Sequence, residues 1–337
     1  MKALLVAAGA MVALLGASGC EGGKPAQAGK TAPAQAVKAR PVQEHYPLLF
    51  SDERERAHLA DYRRTHCNPV VDRPPADPPG PGSDYLAKAV KARDWDKVVD
   101  ELYDEDGVPP GLSAADRKRV ERLRLSIRMT DPAARGDLKA VESLLKAGAD
   151  PNFQKFSFTG PMHMAAQCDR VEVLKALIAA GGKVDLRSVW EVGDAQYRST
   201  PLMRAVFFGA SGSVRVLLDA GADPNLFEEI RALPGPWERR TYVALTFSTT
   251  HDIVRMLLDA GADPNLTGGG STPLMSAAEE RDPDKARMLL ERGADPAARD
   301  SKGKSAAMVA KEVGAPEVLA VLEAPDAVRP KPVVKAP

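Results

Sequence analysis

The sequence has few cysteines and few aromatic residues, and it lacks net charge. Three cysteines among 337 residues are too few for a disulfide-stapled scaffold. Lysine plus arginine and aspartate plus glutamate both number 46, so no bulk charge draws the chain to nucleic acid or to an anionic surface. We find no GxSxG, P-loop, HExxH or dinucleotide fingerprint, which argues against the enzyme classes that those motifs mark. We therefore expect no cofactor, no nucleic acid partner and no small-molecule substrate.

Residues able to bind metal or to carry out catalysis are scattered. His58, His66 and Cys67 are metal ligands by type, but they lack the paired spacing of a zinc site. His251 is isolated. An enzyme would have to use residues 46–110, and it would need clustered titratable groups there. We expect neither a metal site nor catalytic residues, and we expect the chain not to be an enzyme.

The first twenty residues read MKALLVAAGAMVALLGASGC. One lysine is followed by a small and apolar run from Ala3 to Leu15 and then by small residues, the three regions of a signal peptide. This run is too short to span a bilayer as a helix. We predict that residues 1–19 are a targeting segment rather than part of the fold.

Cys20 directly follows Ala17, Ser18 and Gly19, and this stretch resembles the lipobox of bacterial lipoproteins. The usual leucine is here Ala17, so a plain secretory peptide with a spare cysteine is the alternative. The resemblance implies acylation of Cys20, and several acyl chains form a stable membrane anchor. It also implies the periplasmic side of the cell envelope. Glu21 stands where aspartate commonly signals inner-membrane retention, which favours the outer membrane.

Composition divides the chain into five segments. Residues 21–44 are rich in Ala, Pro, Gly, Gln and Lys and have almost nothing to bury, which is typical of a disordered tether. A short helix is predicted over SDERERAHLADYRR, before the breaker RPPADPPGPG. The expected segments are a lipoprotein signal peptide (1–19), a tether (20–45), a helical N-terminal segment with a possible degenerate capping repeat (46–126), a repeat domain (127–324) and a Pro-rich tail (325–337).

A six-residue motif recurs through the repeat domain. GADPNL stands at 221–226 and at 261–266, and GADPNF, GGKVDL and GADPAA are close variants. The first glycines of the five stretches are separated by 33, 40, 40 and 32 residues. These glycines are Gly148, Gly181, Gly221, Gly261 and Gly293. A period near 33 is the length of one helix–turn–helix repeat.

A second motif lies 21 residues before the glycine where one follows. GPMHMAA, TPLMRAV, TPLMSAA and SAAMVAK resemble the TPLHxAA motif of the ankyrin-repeat family. The resemblance covers about 127 to 324, and it implies an all-α ankyrin-repeat solenoid of about six repeats including caps, with finger loops between repeats. It also implies that His163 braces a turn.

Each motif residue has a structural reason. Thr200 and Thr272 are expected to cap the first helix of a repeat, with Pro201 and Pro273 at its first position. The second helix carries apolar residues at a spacing of three to four, which predicts burial against the next repeat. The glycine then ends that helix in a left-handed turn. Ser113 is expected to cap a helix over 114–128, Trp95 to plug the first repeat, and Asp131-Pro132 to make the backbone irregular.

Two consecutive connections are seven residues longer than the others. They precede Thr200 and Arg240, the residue that aligns with Thr200 in the fourth repeat, and they read LRSVWEVGDAQYRS and LFEEIRALPGPWERR. In the family such connections are the fingers beside the concave face, and insertions there fall on one side of the array. Protein partners are usually held by finger tips and by the exposed end of the first helix.

The aromatic residues concentrate in the same part of the chain. Phe207 and Phe208 fall at positions expected to face solvent, and aromatic anchors dominate binding hot spots. The alternative is that the long fingers cover these rings as private core. The residues predicted to bind a protein partner are Trp190, Tyr197, Arg198, Phe207, Phe208, Trp237, Arg239, Arg240 and Phe247.

The sequence thus predicts a noncatalytic module that holds or occludes a protein partner, attached to the membrane through Cys20. An immunity-type protein that neutralises an envelope toxin is a narrower version of this hypothesis. A passive envelope spacer is the structural alternative. A disulfide between Cys67 and Cys168 is possible in an oxidising compartment, but nothing in the sequence determines the distance between the two residues.

Overall fold

A computed structural model describes residues 67, 83–95, 97–98, 102, 111–154, 160–192, 195–227, 229–232, 243–246, 250–267, 271–300 and 302–324. All of them belong to one compact unit, Phe50–Pro337. The predicted signal peptide, the tether, the helix before the Pro-rich breaker and the C-terminal tail lie outside the described residues.

The described residues are mainly helical, as the sequence predicts. The helices are α1 (Ser83–Ala92), α2 (Ala114–Arg128), α3 (Thr130–Arg135), α4 (Leu138–Lys146), α5 (Pro161–Gln167), α6 (Val171–Ala179), α7 (Pro201–Phe207), α8 (Ser211–Asp219), α9 (His251–Asp259), α10 (Pro273–Glu279), α11 (Pro283–Glu291), α12 (Ala306–Val313) and α13 (Pro316–Glu323). The strands are β1 (Ser188–Val192), β2 (Ala195–Ser199) and β3 (Glu229–Ala232). The pairs α3/α4, α5/α6, α7/α8, α10/α11 and α12/α13 are the first, second, third, fifth and sixth repeats, and α9 is the second helix of the fourth.

The first helices begin as the motif predicts. The hydroxyl oxygens of Thr200 and Thr272 accept from the backbone N–H groups of Met203 and Met275 at 3.3 and 3.2 Å. Pro201 and Pro273 stand in the first turn of α7 and α10, where their missing N–H would have no partner in the helix.

The second helices end on the repeated glycine. Gly148 has φ 101°, and its N–H donates to Leu145 O while that of Ala149 donates to Leu144 O, both at 3.0 Å. This pair of bonds is the Schellman termination. Gly181, Gly221, Gly261 and Gly293 also have positive φ, so the left-handed turn predicted after each second helix is confirmed.

In three of the five hexapeptides an asparagine joins one repeat to the next. Its side-chain amide donates to the carbonyl of the following motif glycine, and its Oδ1 accepts a backbone N–H two residues further on. Asn152, Asn225 and Asn265 donate to Gly181, Gly261 and Gly293 at 2.9–3.1 Å and accept from Lys183, Asp263 and Asp295 at 2.7–2.8 Å. We call this series the asparagine ladder. The preceding aspartate closes its own turn, as when Asp223 accepts from Asn225 N–H at 2.9 Å.

The apolar stripes of successive helices form one continuous core. Ala165, Ala166, Ala277 and Ala278 are fully buried, which lets adjacent first helices approach closely. The second helices contribute mainly leucine and valine to the same cluster, from Val141 through to Leu322. No single helix pair could bury these faces alone, so the repeats stabilise one another.

The fourth repeat departs from the pattern at its first helix. Residues 243–246 form a turn instead, and Val243 makes an isolated bridge to Phe227. The Thr246 hydroxyl donates to Val243 O at 2.8 Å, a local bond that competes with helix formation. Arg240 and Thr241 replace the threonine cap and the proline of the motif. The helix that the alignment at Arg240 implies is therefore absent from residues 243–246.

The segment before the first repeat packs on α2. Leu86, Val90 and Val98 form a small core with Val120 and Ile127 of α2, and Phe153 joins it. The guanidinium carbon of Arg119 lies 3.7 Å from the Trp95 ring centroid, so Trp95 packs with α2 in a cation–π contact. Trp95 also packs against the cluster that contains Phe153 of the first hexapeptide, and its role as a plug of the first repeat stays a prediction.

The capping of α2 is confirmed, whereas the irregular backbone expected at Asp131-Pro132 is wrong. Ser113 caps α2 by accepting from Asp116 N–H at 3.1 Å. Residues Thr130–Arg135 form α3. Pro132 lies in the first turn of that helix, where proline is tolerated because its N–H is not needed.

Candidate functional site

The two long fingers form a small β-sheet. β1 and β2 are the two arms of the finger between the second and third repeats, and they pair antiparallel from Ser188↔Ser199 to Val192↔Ala195. β3, from the next finger, pairs antiparallel with β2, with Tyr197 opposite Ile230. We call β1, β2 and β3 the finger sheet. The all-helical prediction missed it, although the inserted residues that build it were identified.

The finger sheet brings three of the predicted binding residues together. Trp190 pairs with Tyr197 in the register of β1 and β2, and Arg198 lies between Val189 and Glu229. Arg198 is half-buried. Trp237, Arg239, Arg240 and Phe247 lie outside the described residues, as do the side chains of Trp190 and Tyr197. The clustering of Trp190, Tyr197 and Arg198 along the chain therefore becomes a clustering on one sheet.

The base of the finger sheet is fixed by buried polar groups. The strand β2 ends at Ser199, immediately before the Thr200 cap of α7. The His163 side chain on α5 is fully buried, and its Nε2 donates to Ser199 O at 3.1 Å. Burial, together with the positive charge of Arg204, lowers the pKa of His163 to about 3, so the ring is neutral. The bracing role implied by the ankyrin resemblance is confirmed.

Arg204 is a buried cation that the sequence did not single out. It lies on α7 with 6% of its surface exposed, and its Nη1 is 3.4 Å from Gln167 Oε1 on α5. This buried contact between Arg204 and Gln167 links the first helices of the second and third repeats. The signal that could have found it is the arginine inside TPLMRAV, where TPLMSAA has serine.

The Phe207 and Phe208 rings have different environments. They pack edge to face with centroids 5.1 Å apart and an interplanar angle of 72°. Phe208 is only 7% exposed, whereas Phe207 is half-buried. The expectation that both rings face solvent is therefore wrong for Phe208, whose side chain is buried. That the long fingers cover this ring, as the private-core alternative holds, stays a prediction. Phe207 keeps part of its surface available.

The same positions in the fifth repeat hold charge. The Nζ of Lys285 donates to both carboxylate oxygens of Glu280, each at 2.9 Å, and Lys285 is 1% exposed. The pKa of Glu279 is raised, first by burial and then by repulsion from Glu280 and Asp300. The face that is aromatic in the third repeat is thus acidic in the fifth.

A disulfide joins Cys67 to Cys168, at the end of α5. Both cysteines are buried, and they pack with Ala134 of the first repeat. Arg170 reinforces the junction by donating from Nη2 to Cys67 O at 2.7 Å and from Nε to Ala134 O at 2.8 Å. The pairing that the sequence left open is thus made, and it ties the pre-repeat segment to the first two repeats.

The other candidate ligands have structural roles or lie outside the described residues. His251 contacts Asp282 Oδ2 at 2.8 Å and links the fourth repeat to the fifth, while His58 and His66 are not described. Within the described ranges, no group of three or more His, Cys, Asp or Glu side chains could hold a metal ion. Among the helices described above, none is both long and apolar enough to cross a membrane.

Comparison with known proteins identifies the repeat. Residues 132–228 and 238–300 match the family model for ankyrin repeats (3 copies). Cyclin-dependent kinase 4 inhibitor B of Bos taurus is 31% identical over 112 residues, which cover 33% of this chain and 77% of that protein. Cyclin-dependent kinase inhibitor 2A of Homo sapiens is 27% identical over 158 residues, covering 43% of this chain and 91% of that protein.

Two further matches differ in how much of each protein they cover. E3 ubiquitin-protein ligase KEG of Arabidopsis thaliana is 32% identical over 90 residues, which cover 26% of this chain and only 5% of the ligase. The solved structure of the Bd0816 predatory endopeptidase from Bdellovibrio bacteriovorus in complex with immunity protein Bd3460 contains a chain that aligns with a TM-score of 0.48 and 23% identity. That alignment covers 58% of this chain and 96% of the other. Since the repeat model matches both halves of the array and the bovine relative is matched over most of its length, this chain belongs to the ankyrin-repeat family.

Proposed function

We propose that this chain is a noncatalytic protein-binding module, anchored by lipid at Cys20 on the periplasmic side of the outer membrane. The observation that carries the binding role is the finger sheet, in which strands from the two inserted connections pair with each other. Inserted residues on one side of a repeat array are where binding surfaces are usually built. Related chains are named as inhibitors of a protein kinase, which agrees with a protein as the ligand.

The disulfide supports the envelope location. Disulfides persist in oxidising compartments such as the periplasm and are rare in the cytosol. Pairing Cys67 with Cys168 uses two of the three cysteines in the sequence. Cys20, in the lipobox-like stretch, is the remaining one and is therefore available for acylation.

The binding surface is tested by crosslinking from intact cells with the native anchor retained. We expect Arg198→Ala combined with Phe207→Ala to reduce capture of the partner more than tenfold, since anchor residues of an interface commonly contribute about 2 kcal/mol or more. Lys175→Ala with Arg255→Ala is the matched control, because both residues are exposed on second helices and make only local ion pairs. Equal capture by the two double variants, with unchanged melting temperatures, would contradict the proposed surface.

The anchor is tested separately by membrane fractionation. We expect Cys20→Ser to move the protein from the membrane fraction to the soluble periplasmic fraction, with Cys67→Ser as the control that stays in the membrane fraction. Retention of the Cys20→Ser variant in membranes washed with high salt would overturn the lipoprotein assignment and leave the binding role untouched.

A further inference from the structure

The disulfide gives the chain a second, shorter covalent path between Cys67 and Cys168. Cys67 and Cys168 are 101 residues apart in sequence, and the stretch between them contains α1, α2 and the whole first repeat. A force applied at the N-terminus of the oxidised chain passes directly from Cys67 to Cys168. The residues between the two cysteines then lie outside the path of the force.

The far end of that path is well fixed in the array. Cys168 is followed by Asp169, whose Oδ1 accepts from Ser213 N–H in the third repeat at 2.7 Å. Arg170, the next residue, donates to Ala134 O at 2.8 Å. The turn that receives the disulfide is thus hydrogen-bonded to the repeats on both sides, which fixes the position of Cys168 in the array.

The near end is held as well. Arg170 Nη2 donates to Cys67 O at 2.7 Å, so the backbone at Cys67 and the disulfide are fastened to the same turn. Gly136 leaves room for the Arg170 side chain, since a Cβ at that position would come within 2.9 Å of Arg170 Cδ. Cys67 and Cys168 are 4% and 7% exposed, which shields the sulfur atoms from soluble thiols while the fold is intact.

We propose that the Cys67–Cys168 disulfide transmits force between the N-terminal tether and the repeat array, and that it keeps α1, α2 and the first repeat free of tension. The proposal rests on the anchor at Cys20, since an anchored binding module is pulled between its membrane attachment and its partner. The pre-repeat core and α2 then pack at the end of the array without transmitting force between the array and the membrane.

Single-molecule pulling of the full chain carrying Cys20→Ser, held at both termini, tests the proposal. We expect complete unfolding of the oxidised protein to release a contour length shorter by roughly 33–36 nm than that of the Cys67→Ser/Cys168→Ser variant, since 101 residues are withheld and each extends by at most about 3.6 Å. Equal contour lengths in the two proteins would overturn the proposal.

A buried substitution inside the loop gives a second readout. Val120 on α2 and Val214 on α8 are both fully buried, but only Val120 lies between the two cysteines. We expect Val120→Ala to leave the unfolding forces of the oxidised protein unchanged and to lower one of them in the Cys67→Ser/Cys168→Ser background, whereas Val214→Ala lowers a force in both. A force lowered by Val120→Ala in the oxidised protein would contradict the proposal. Neither measurement uses the lipid anchor, so either can fail while the Cys20 fractionation experiment succeeds.

Discussion

Asp185 stands where three of the other four hexapeptides have asparagine, and it cannot complete the asparagine ladder. It accepts from Asp223 N–H at 3.1 Å, but a carboxylate has no N–H with which to donate to the carbonyl of Gly221. Partial burial and repulsion from Asp223 raise the pKa of Asp185, although the bond from Asp223 N–H opposes this. A raised carboxyl pKa means that stability falls as the pH rises above the ordinary aspartate value.

We expect Asp185→Asn to stabilise the fold by about 1 kcal/mol at neutral pH, because the amide supplies the missing donor and removes the charge. Urea denaturation at pH 7 measures this change. Asn225→Ala, which removes both ladder bonds of the third repeat, is expected to lower the free energy of unfolding by a similar amount. A loss of stability in Asp185→Asn would mean that the ladder geometry is not transferable to the second repeat.

His163 makes the stability sensitive to acid. Its pKa falls from 6.5 to about 3 on folding, through burial first and the Arg204 charge second. Between pH 6.5 and about pH 3, His163 is therefore protonated in the unfolded chain but neutral in the folded chain. The stability present above pH 6.5 is lost as the pH falls toward 3. The contribution approaches about 1.4 kcal/mol per pH unit.

We expect His163→Gln to flatten the fall in unfolding free energy between pH 6 and pH 4, because glutamine still offers an N–H donor toward Ser199 O but takes up no proton. Chemical denaturation at several pH values gives the slopes. Identical slopes in the two proteins would mean that other groups account for the acid sensitivity.

At the scale of the helix, glycine is needed at the end of each second helix because of its backbone conformation and not because of lack of space for a side chain. Gly221 has φ 85°, and a Cβ built there meets nothing within 4 Å. We expect Gly221→Ala to cost about 1–2 kcal/mol, the penalty of a left-handed L-residue, with Ala220→Gly as a milder neighbouring control. Thermal melts of both variants measure the difference. An unchanged melting temperature in Gly221→Ala would mean that the chain ends α8 in another way.

The elements that the sequence predicts correctly depend on nearby residues. Thr200 with Pro201 starts α7, and Gly221 ends α8, through bonds that span only a few positions. The turn at 243–246 was missed because the alignment at Arg240 implies a helix there, although Arg240 and Thr241 replace the Thr-Pro start of the motif. The pairing of β2 with β3 brings together residues from different repeats, and the local sequence pattern carries no information on such contacts.

At the scale of the whole molecule, the disulfide closes a loop of 101 residues. Constraining a loop of this size removes entropy from the unfolded chain, and the expected stabilisation is about 4–5 kcal/mol in the chain-entropy model. We expect Cys67→Ser/Cys168→Ser to lower the free energy of unfolding by about 2–5 kcal/mol, measured by urea denaturation against the oxidised protein. Equal stabilities, with a disulfide verified by mass spectrometry in the oxidised sample, would contradict this account.

The asparagine ladder also has a consequence for the length of the array. GADPNL at 221–226 and at 261–266 is the same hexapeptide, and each copy presents the same donor and acceptor to the repeat that follows. Deletion of the forty residues 226–265 therefore leaves Asn225 facing the partners that Asn265 holds now. The deletion also removes the fourth repeat, whose residues 243–246 form a turn, and it sets α7 beside α10. An array built in this way can be shortened by one repeat while the asparagine ladder stays continuous.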